Sequence, residues 1–363
     1  MISLRGVSKL YGDGAPAVRD LSMDIADGEI VMLVGPSGCG KTTTLKMINR
    51  LIEPSGGEIL VNGQSVLEQD PVELRRGIGY VIQSVGLLPH RTVRQNIGTV
   101  AELQGWEKDR IRARTEELAD MLHLDRGLLD RYPAELSGGQ RQRVGVARAL
   151  AVDPPVMLMD EPFGAVDPIV RGRLQDQFLE LQAELRKTIV FVTHDIDEAI
   201  RLADRIAILN IGGVIEQYAP PAEILTSPAN DFVRDFVGYE RGLKRLSLVR
   251  VGDVKVEEGP VVASATPTED ARALIEREGF GWAAVVDDGA LRGWVDHEAL
   301  ADRTMVGDAD IRRFGAYVTN RNTLREALDS IVTSRTNVAV VVDEDERYRG
   351  ILTLEKLTGE LDA

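Results

Sequence analysis

The chain is poor in cysteine, in long apolar runs and in net positive charge, and each shortage narrows its class. Its single cysteine, Cys39, cannot form an internal disulfide, which fits a reducing compartment. Stretches of large apolar residues, such as Ile30–Val34 and Ile189–Val192, are only a few positions long, far short of the roughly 18–20 needed to cross a bilayer. Met1–Arg5 shows no basic region followed by an apolar stretch, so no secretory signal peptide is expected. With 43 Lys and Arg against 58 Asp and Glu, the net charge of −15 argues against a general nucleic-acid binder. The rest is ordinary for a folded chain: 44% hydrophobic and 28% charged residues over 363 positions, room for two or three domains at about 150 residues each. The expectation is a cytosolic protein that docks on something that is not.

The acidity is uneven. Residues 247–363 hold 14 Lys and Arg against 23 Asp and Glu, a balance of −9, which leaves −6 for the first 246. The shift coincides with a break in pattern after Pro228, where Phe232–Gly238 gives way to Arg241, Lys244 and Arg245. This places one domain over 1–238, a basic linker over 239–247 and a second region over 248–363. In the first region Leu21–Ile25 alternates apolar and polar, and Asp27-Gly28 predicts a hairpin turn. Ile30–Val34 predicts a fully buried strand, followed by a helix from about Gly40 with Leu45, Ile48 and Leu51–Ile52 facing inward. Ile59–Val61 before Asn62-Gly63 predicts another hairpin edge, and residues from about 84 to 150 are mostly helical, including Ile111–His123. Strands return at Val156–Met159, Ile189–Thr193 and Ile206–Leu209, each after a helical stretch, the pattern of a parallel sheet with helices on its faces.

Gly35-Pro-Ser37-Gly38-Cys39-Gly40-Lys41-Thr42 lies between the buried strand and the helix and fits the phosphate-binding pattern G-x-x-x-x-G-K-[ST]. A phosphate is a large anion, so backbone N–H groups must approach it closely, and glycines clear that approach. Lys41 supplies a point charge and the Thr42 hydroxyl a ligand for Mg²⁺, at a helix N-terminus of partial positive charge. Val156–Asp160 followed by Glu161 is a strand that delivers two carboxylates to the carboxyl edge of the sheet, where ligands of such sheets bind. Asp160 would hold Mg²⁺, and Glu161 would orient or deprotonate water. Leu136-Ser137-Gly138-Gly139-Gln140 opens a second helix with a capping serine and exposed N–H groups, a second phosphate site on a chain with one Walker loop. That makes physical sense if each copy caps the γ-phosphate held by a partner copy.

These motifs, in this order, resemble the nucleotide-binding subunits of ABC transporters over about residues 1–235. By that resemblance Tyr11 stacks on adenine, Gly35–Thr43 (with Thr43) is the Walker A loop, and Gln83 is the Q-loop glutamine that contacts Mg²⁺. Ser137–Gln140 belong to the signature motif and Asp160 with Glu161 close Walker B. Asp167 is the D-loop aspartate, although Gly164 stands where serine is usual, and His194 is the switch histidine that contacts the γ-phosphate. Singly, Tyr11 is equally an edge-strand aromatic, Gln83 a solvated amide and His194 a partly buried histidine; their joint occurrence around one phosphate carries the reading. The resemblance implies ATP and Mg²⁺ as cofactors, Glu161, His194 and Lys41 as catalytic residues, and a homodimer.

Residues 247–363 hold a duplication. Thr268–Ile275 resembles the stretch from Thr323, Ala284–Asp287 resembles Val340–Asp343, and Arg292-Gly293 resembles Arg349-Gly350, at offsets of 55 to 57 residues. Each copy reads as helix, apolar strand, acidic turn, short strand and second helix, and the pair resembles a tandem CBS module of about 248–303 and 304–363. Such modules imply a regulatory ligand, often an adenine nucleotide. Those that bind adenosyl ligands often carry an aspartate about six residues after the glycine, where this chain has Ala299 and Lys356, while Thr353 keeps a hydroxyl.

The implied fold is α/β: an ABC-type P-loop ATPase domain with a parallel core sheet, an antiparallel β subdomain and a helical subdomain, followed by an α/β tandem CBS module. That combination, with the wording of Ile82–His90, Glu161–Pro168 and Thr193–Ala199, resembles the ATPase subunit of quaternary-amine osmoprotectant importers. It implies integral membrane permease subunits, a separate solute-binding protein and a peripheral position on the cytoplasmic face of the membrane. An importer ATPase for another small solute, or a non-transport ABC ATPase, is the alternative. The acidic 247–363 region beside a basic segment further predicts inhibition at low ionic strength through charge contacts, since screening shortens their reach from about 10 Å at 0.1 M to about 3 Å at 1 M salt.

Overall fold

A computed structural model describes residues 1–12, 14–82, 86–164 and 167–362, and the chain divides into two compact units, Met1–Gly238 and Tyr239–Ala363. Strands β1 (Ile2–Lys9), β2 (Val18–Ile25), β3 (Ile30–Val34), β4 (Gly56–Val61), β5 (Gln64–Ser65), β6 (Ile78–Val81), β7 (Val156–Asp160), β8 (Thr188–Val192), β9 (Arg205–Asn210) and β10 (Val214–Ala219) form two sheets in the first unit. One is antiparallel, in the order β2-β1-β4-β5; the other runs β10-β9-β3-β8-β7-β6 and is parallel except at β10. All five residues of β3, β7 and β8 are buried, as continuous apolar runs covered on both faces require. β2 instead buries every second residue from Leu21 to Ile25, because one of its faces meets solvent. Between the sheets lies a core of Ile2, Leu4, Leu21, Ile25, Leu33, Leu45, Ile48 and Ile59, each side chain contributing about 1.5–3 kcal/mol by burial.

The helices of this unit are α1 (Lys41–Ile48), α2 (Pro71–Arg76), α3 (Val93–Leu103), α4 (Lys108–Met121), α5 (Gly138–Leu150), α6 (Pro168–Leu185), α7 (Ile196–Leu202), α8 (Pro221–Thr226) and α9 (Asp231–Val237). α3, α4 and α5 make up the expected helical region. Thr92 and Ser137 start α3 and α5 with reciprocal capping boxes to Gln95 and Gln140.

Two local expectations are corrected. Asp27-Gly28 is not a hairpin: β2 belongs to the antiparallel sheet and β3 to the parallel one, so this turn carries the chain between sheets. It is anchored there by the bond from the Gly28 amide to Thr188 Oγ1, 3.0 Å. α1 ends at Ile48, with Arg50 at φ 47, so Leu51 leaves the inward stripe and is exposed. The Asn62-Gly63 hairpin stands as expected, pairing Val61 with Gln64 across two residues of positive φ.

The second unit holds two three-stranded sheets, β11 (Val261–Val262), β12 (Trp282–Asp287) and β13 (Ala290–Asp296), then β14 (Val318–Thr319), β15 (Ala339–Val342) and β16 (Tyr348–Leu352). Its helices are α10 (Arg241–Leu246), α11 (Thr268–Glu278), α12 (Leu324–Thr333) and α13 (Leu354–Asp362). The segment expected as a basic linker therefore forms a helix: Lys244 and Leu246 are buried, and Leu246 packs into the core of the second repeat with Leu324, Ile331 and Leu357. The repeats also exchange their leading segments. Residues before Pro260 bridge to the second repeat (Arg250 with Thr323, Glu257 with Ile351), and residues after Thr304 bridge to the first (Met305 with Pro267, Arg312 with Trp294). The boundary expected near 303–304 thus cuts through both folded repeats. The first repeat also lacks its expected second helix: after Asp296, whose carboxylate accepts the Ala299 amide, residues 297–302 form only turns, ending at Asp302 with φ 55. Among the described residues no helix is long and apolar enough to cross a membrane.

Candidate functional site

The phosphate loop is shaped by glycines for two different reasons. A Cβ on Gly35 (φ +151) would lie 2.2 Å from the Leu209 carbonyl oxygen, and one on Gly40 (φ +104) 2.5 Å from that of Ala17. These glycines let the loop press against neighbouring backbone, which no side chain would allow. Only Gly38, at φ +80, borders open space. α1 begins without a side-chain cap, so its first-turn N–H groups stay available to an anion. Lys41 is buried, with its ammonium donating to the carbonyls of Gly35 (2.7 Å) and Pro36 (3.0 Å) and lying 3.7 Å from Cys39 Sγ. Cys39 is fully buried beneath the loop, its amide donating to the Pro36 carbonyl at 3.3 Å. Ser37 is exposed and Thr43 half-buried.

At the carboxyl edge of the sheet two pairs form. The Thr42 hydroxyl donates to Asp160 Oδ1 at 3.0 Å, joining α1 to the end of β7. Burial is the main influence pushing the Asp160 carboxyl up; the Thr42 bond opposes it, the nearby Glu161 charge adds to it, and Lys46 and Lys41 pull it down. Glu161 sits at φ 46, its amide held by the Val192 carbonyl at 2.9 Å, and this left-handed turn sends its carboxylate to within 3.1 Å of His194 Nδ1. The histidine ring is largely exposed and the Glu161 side chain mostly covered. Among the described residues no cluster of three His, Cys, Asp or Glu could hold a metal alone. A hydroxyl and one carboxylate suit Mg²⁺ that arrives with phosphate oxygens and its own water.

The remaining expected residues lie around this edge or beyond it. Tyr11 is exposed, with the Lys9 ammonium 5.2 Å from its ring centroid. Ser137 and Gln140 bond to each other's backbone in the first turn of α5 (3.3 and 2.8 Å), with Gly138 exposed and Gly139 half-buried in that turn. Asp167 is exposed just before α6 and its carbonyl accepts the Arg171 amide at 2.8 Å. Gln83 lies outside the described residues. Two contributors were not anticipated. Lys46 follows Thr42 by one helical turn, so their spacing alone could have flagged it. Tyr80 on β6 has its hydroxyl pushed up to about 12 by burial and then by the Asp160 charge; nothing local in the sequence marks it.

The ABC transporter family matches residues 18–164 and the CBS domain family residues 311–363. The glycine betaine/carnitine/choline transport ATP-binding protein OpuCA of Bacillus subtilis is 47% identical over 98% of this chain and 95% of its own length. The osmoprotectant import ATP-binding protein OsmV of Salmonella typhimurium is 46% identical over 99% of this chain and 96% of its own. Among solved structures, the dimeric bacterial ABC transporter cassette MJ0796 is 35% identical with a TM-score of 0.56, covering 61% of this chain and 99% of that one. A likeness of this extent to ATP-binding proteins over nearly the whole chain settles the classification: the chain belongs to the ABC transporter family, as an ATP-binding, ATP-hydrolysing protein with a CBS region.

Proposed function

We propose that this chain powers the import of a compatible solute of the quaternary-amine class, working as a pair of copies that sandwich two ATP molecules against membrane permease subunits. The observation that carries the hydrolytic part is the adjacency of the Thr42–Asp160 and Glu161–His194 pairs, 3.0 and 3.1 Å, across consecutive residues of β7's end. The solute class rests on the relatives that transport glycine betaine, carnitine and choline. In this reading the N–H groups of Gly35–Thr43 and the Lys41 ammonium bind the β- and γ-phosphates, and Tyr11 stacks on adenine. Thr42 and Asp160, with Gln83, would hold Mg²⁺, which when bound neutralises charge on the phosphates. Glu161 accepts a proton from the attacking water, and His194, oriented by that carboxylate, contacts the γ-phosphate. Ser137, Gly138, Gly139 and Gln140 cap the γ-phosphate bound to the partner copy, and Asp167 lies at that junction.

The protein then sits on the cytoplasmic face of the membrane, bound to permease subunits that receive solute from a separate binding protein; nucleic acid has no part. The CBS region regulates activity, through a ligand or through ionic strength. The test is to isolate the chain with its permease, reconstitute both in vesicles, and follow ATP-driven uptake of labelled glycine betaine, choline and carnitine beside an unrelated amino acid. Uptake of one or more quaternary amines alone is expected. Uptake of the unrelated solute alone would refute the solute class, and absence of any permease would refute transport.

A further inference from the structure

Behind His194 lies a set of polar side chains that the hydrolytic reading leaves unused. α6 starts directly after Asp167, and α7 directly after His194 and its cap Asp195, whose carboxylate accepts the amides of Asp197 and Glu198 at 2.9 and 3.3 Å. Three side-chain pairs tie the two helices together: Arg171 with Asp195 at 3.8 Å, Gln175 with Glu198 at 3.0 Å, and Asp176 with Arg201 at 2.5 Å. The outer two are partly or largely exposed, and exposed ion pairs hold little. The middle pair differs, with Gln175 and Glu198 only 5% and 6% exposed. The Thr193 hydroxyl close by holds the Glu198 carboxyl down. That hydroxyl accepts the Asp195 amide at 3.1 Å, and the Thr193 amide donates to Leu33 on β3 at 3.2 Å.

Burying a carboxyl between two helices is costly, and an apolar pair of similar size would pack them without that cost. A buried hydrogen bond adds direction: it fixes the register of α7 on α6 and the orientation of the turn that carries His194. Burial pushes the Glu198 carboxyl up, the Thr193 and Gln175 side chains oppose it, and the Gln175 bond at 3.0 Å is the contact that geometry gives it.

We propose that Gln175 and Glu198 are positioning residues, a buried clamp that makes the His194 turn follow the Asp167 end of α6, so that the histidine and the D-loop aspartate shift as one body. This rests on the hydrolytic reading above. The test is steady-state ATP turnover by the full chain with its permease, for Glu198→Leu, Gln175→Met and Glu198→Gln, each also in a His194→Ala background. ATP affinity and melting temperature are measured alongside. Glu198→Leu and Gln175→Met should each lower kcat about ten-fold with KM changed less than about two-fold, and Glu198→Gln, which keeps an acceptor for the Gln175 amide, should retain at least about half of kcat. With His194 already removed, neither loss should lower the residual turnover further. Equal losses in both backgrounds, or a fall in melting temperature with kcat intact, would overturn the clamp. If Glu198→Leu does not fold, Gln175→Met and Glu198→Gln carry the same comparison. A wild-type assembly without turnover would instead refute the hydrolytic reading.

Discussion

The two units use the same backbone device to opposite ends. Gly35 in the ATPase unit and Gly293 and Gly350 in the CBS unit share φ near +150 (+151, +151 and +146), and a Cβ on each would strike a carbonyl oxygen at 2.2 or 2.3 Å. At Gly35 the close approach to Leu209 seats a loop that leads into the uncapped start of α1. At Gly293 and Gly350 it admits the exchanged segments ending at Arg312 and Glu257, and closes the repeats on each other. The acidic residues diverge in the same way. Asp160 and Glu161 meet a hydroxyl and a histidine at a sheet edge. Asp287 instead accepts from the Ser264 amide and hydroxyl and pairs with Arg292, and Asp343 accepts from the Asp345 and Arg347 amides and pairs with Arg349. A glycine or aspartate motif therefore signals chemistry only where it stands at the carboxyl edge of a parallel sheet, beside an uncapped helix start.

That contrast can be broken at several points. The largest effect is expected from Lys41→Ala, which should weaken ATP binding by about two orders of magnitude in a titration with a fluorescent nucleotide; unchanged affinity would remove the phosphate loop from the account. Next comes sharing between copies. Mixing Ser137→Arg chains with Lys41→Ala chains, each inactive alone, should restore about a quarter of wild-type turnover, since half the dimers gain one intact site; turnover left at background would place both phosphate contacts within one chain. A chain ending at Gly238 should keep ATP-driven uptake in vesicles but lose its response to a salt series. An unchanged salt profile would leave the CBS unit as a ligand-binding or structural module. The smallest effect concerns Asp287, whose carboxyl the Ser264 amide, and then its hydroxyl, hold below the usual range. A lowered carboxyl stabilises the fold above the ordinary aspartate value, near 3.9, and that contribution is lost as pH falls through the lowered value. Asp287→Ala should therefore cost roughly 1–3 °C of melting temperature at pH 7 and progressively less toward pH 3.

Legibility followed the range of the forces involved. The phosphate loop, the Asp160–Glu161 pair and the capping of α5 by Ser137 are set by neighbours in sequence, so they could be read directly. β3, β7 and β8 were legible because strands buried on both faces are continuous apolar runs. The Asp27-Gly28 turn was misread because the choice between closing a hairpin and crossing to another sheet is made by a distant anchor, Thr188. The helix in the basic stretch 239–247 is not legible from its charge, because it is held by Leu246, which finds its core 70 and more residues away, at Leu324, Ile331 and Leu357. The exchange of leading segments between repeats, and the Gln175–Glu198 pair, are likewise contacts between elements and leave no local pattern.

The proposed role of Glu161, activating water for hydrolysis, is open to single-turnover chemistry on Glu161→Gln. This substitution keeps the size and hydrogen-bonding reach of the side chain but removes the base. The variant should bind ATP as tightly as wild type, accumulate as an ATP-bound dimer and release phosphate at least about a hundred-fold more slowly. Phosphate release at the wild-type rate would contradict it.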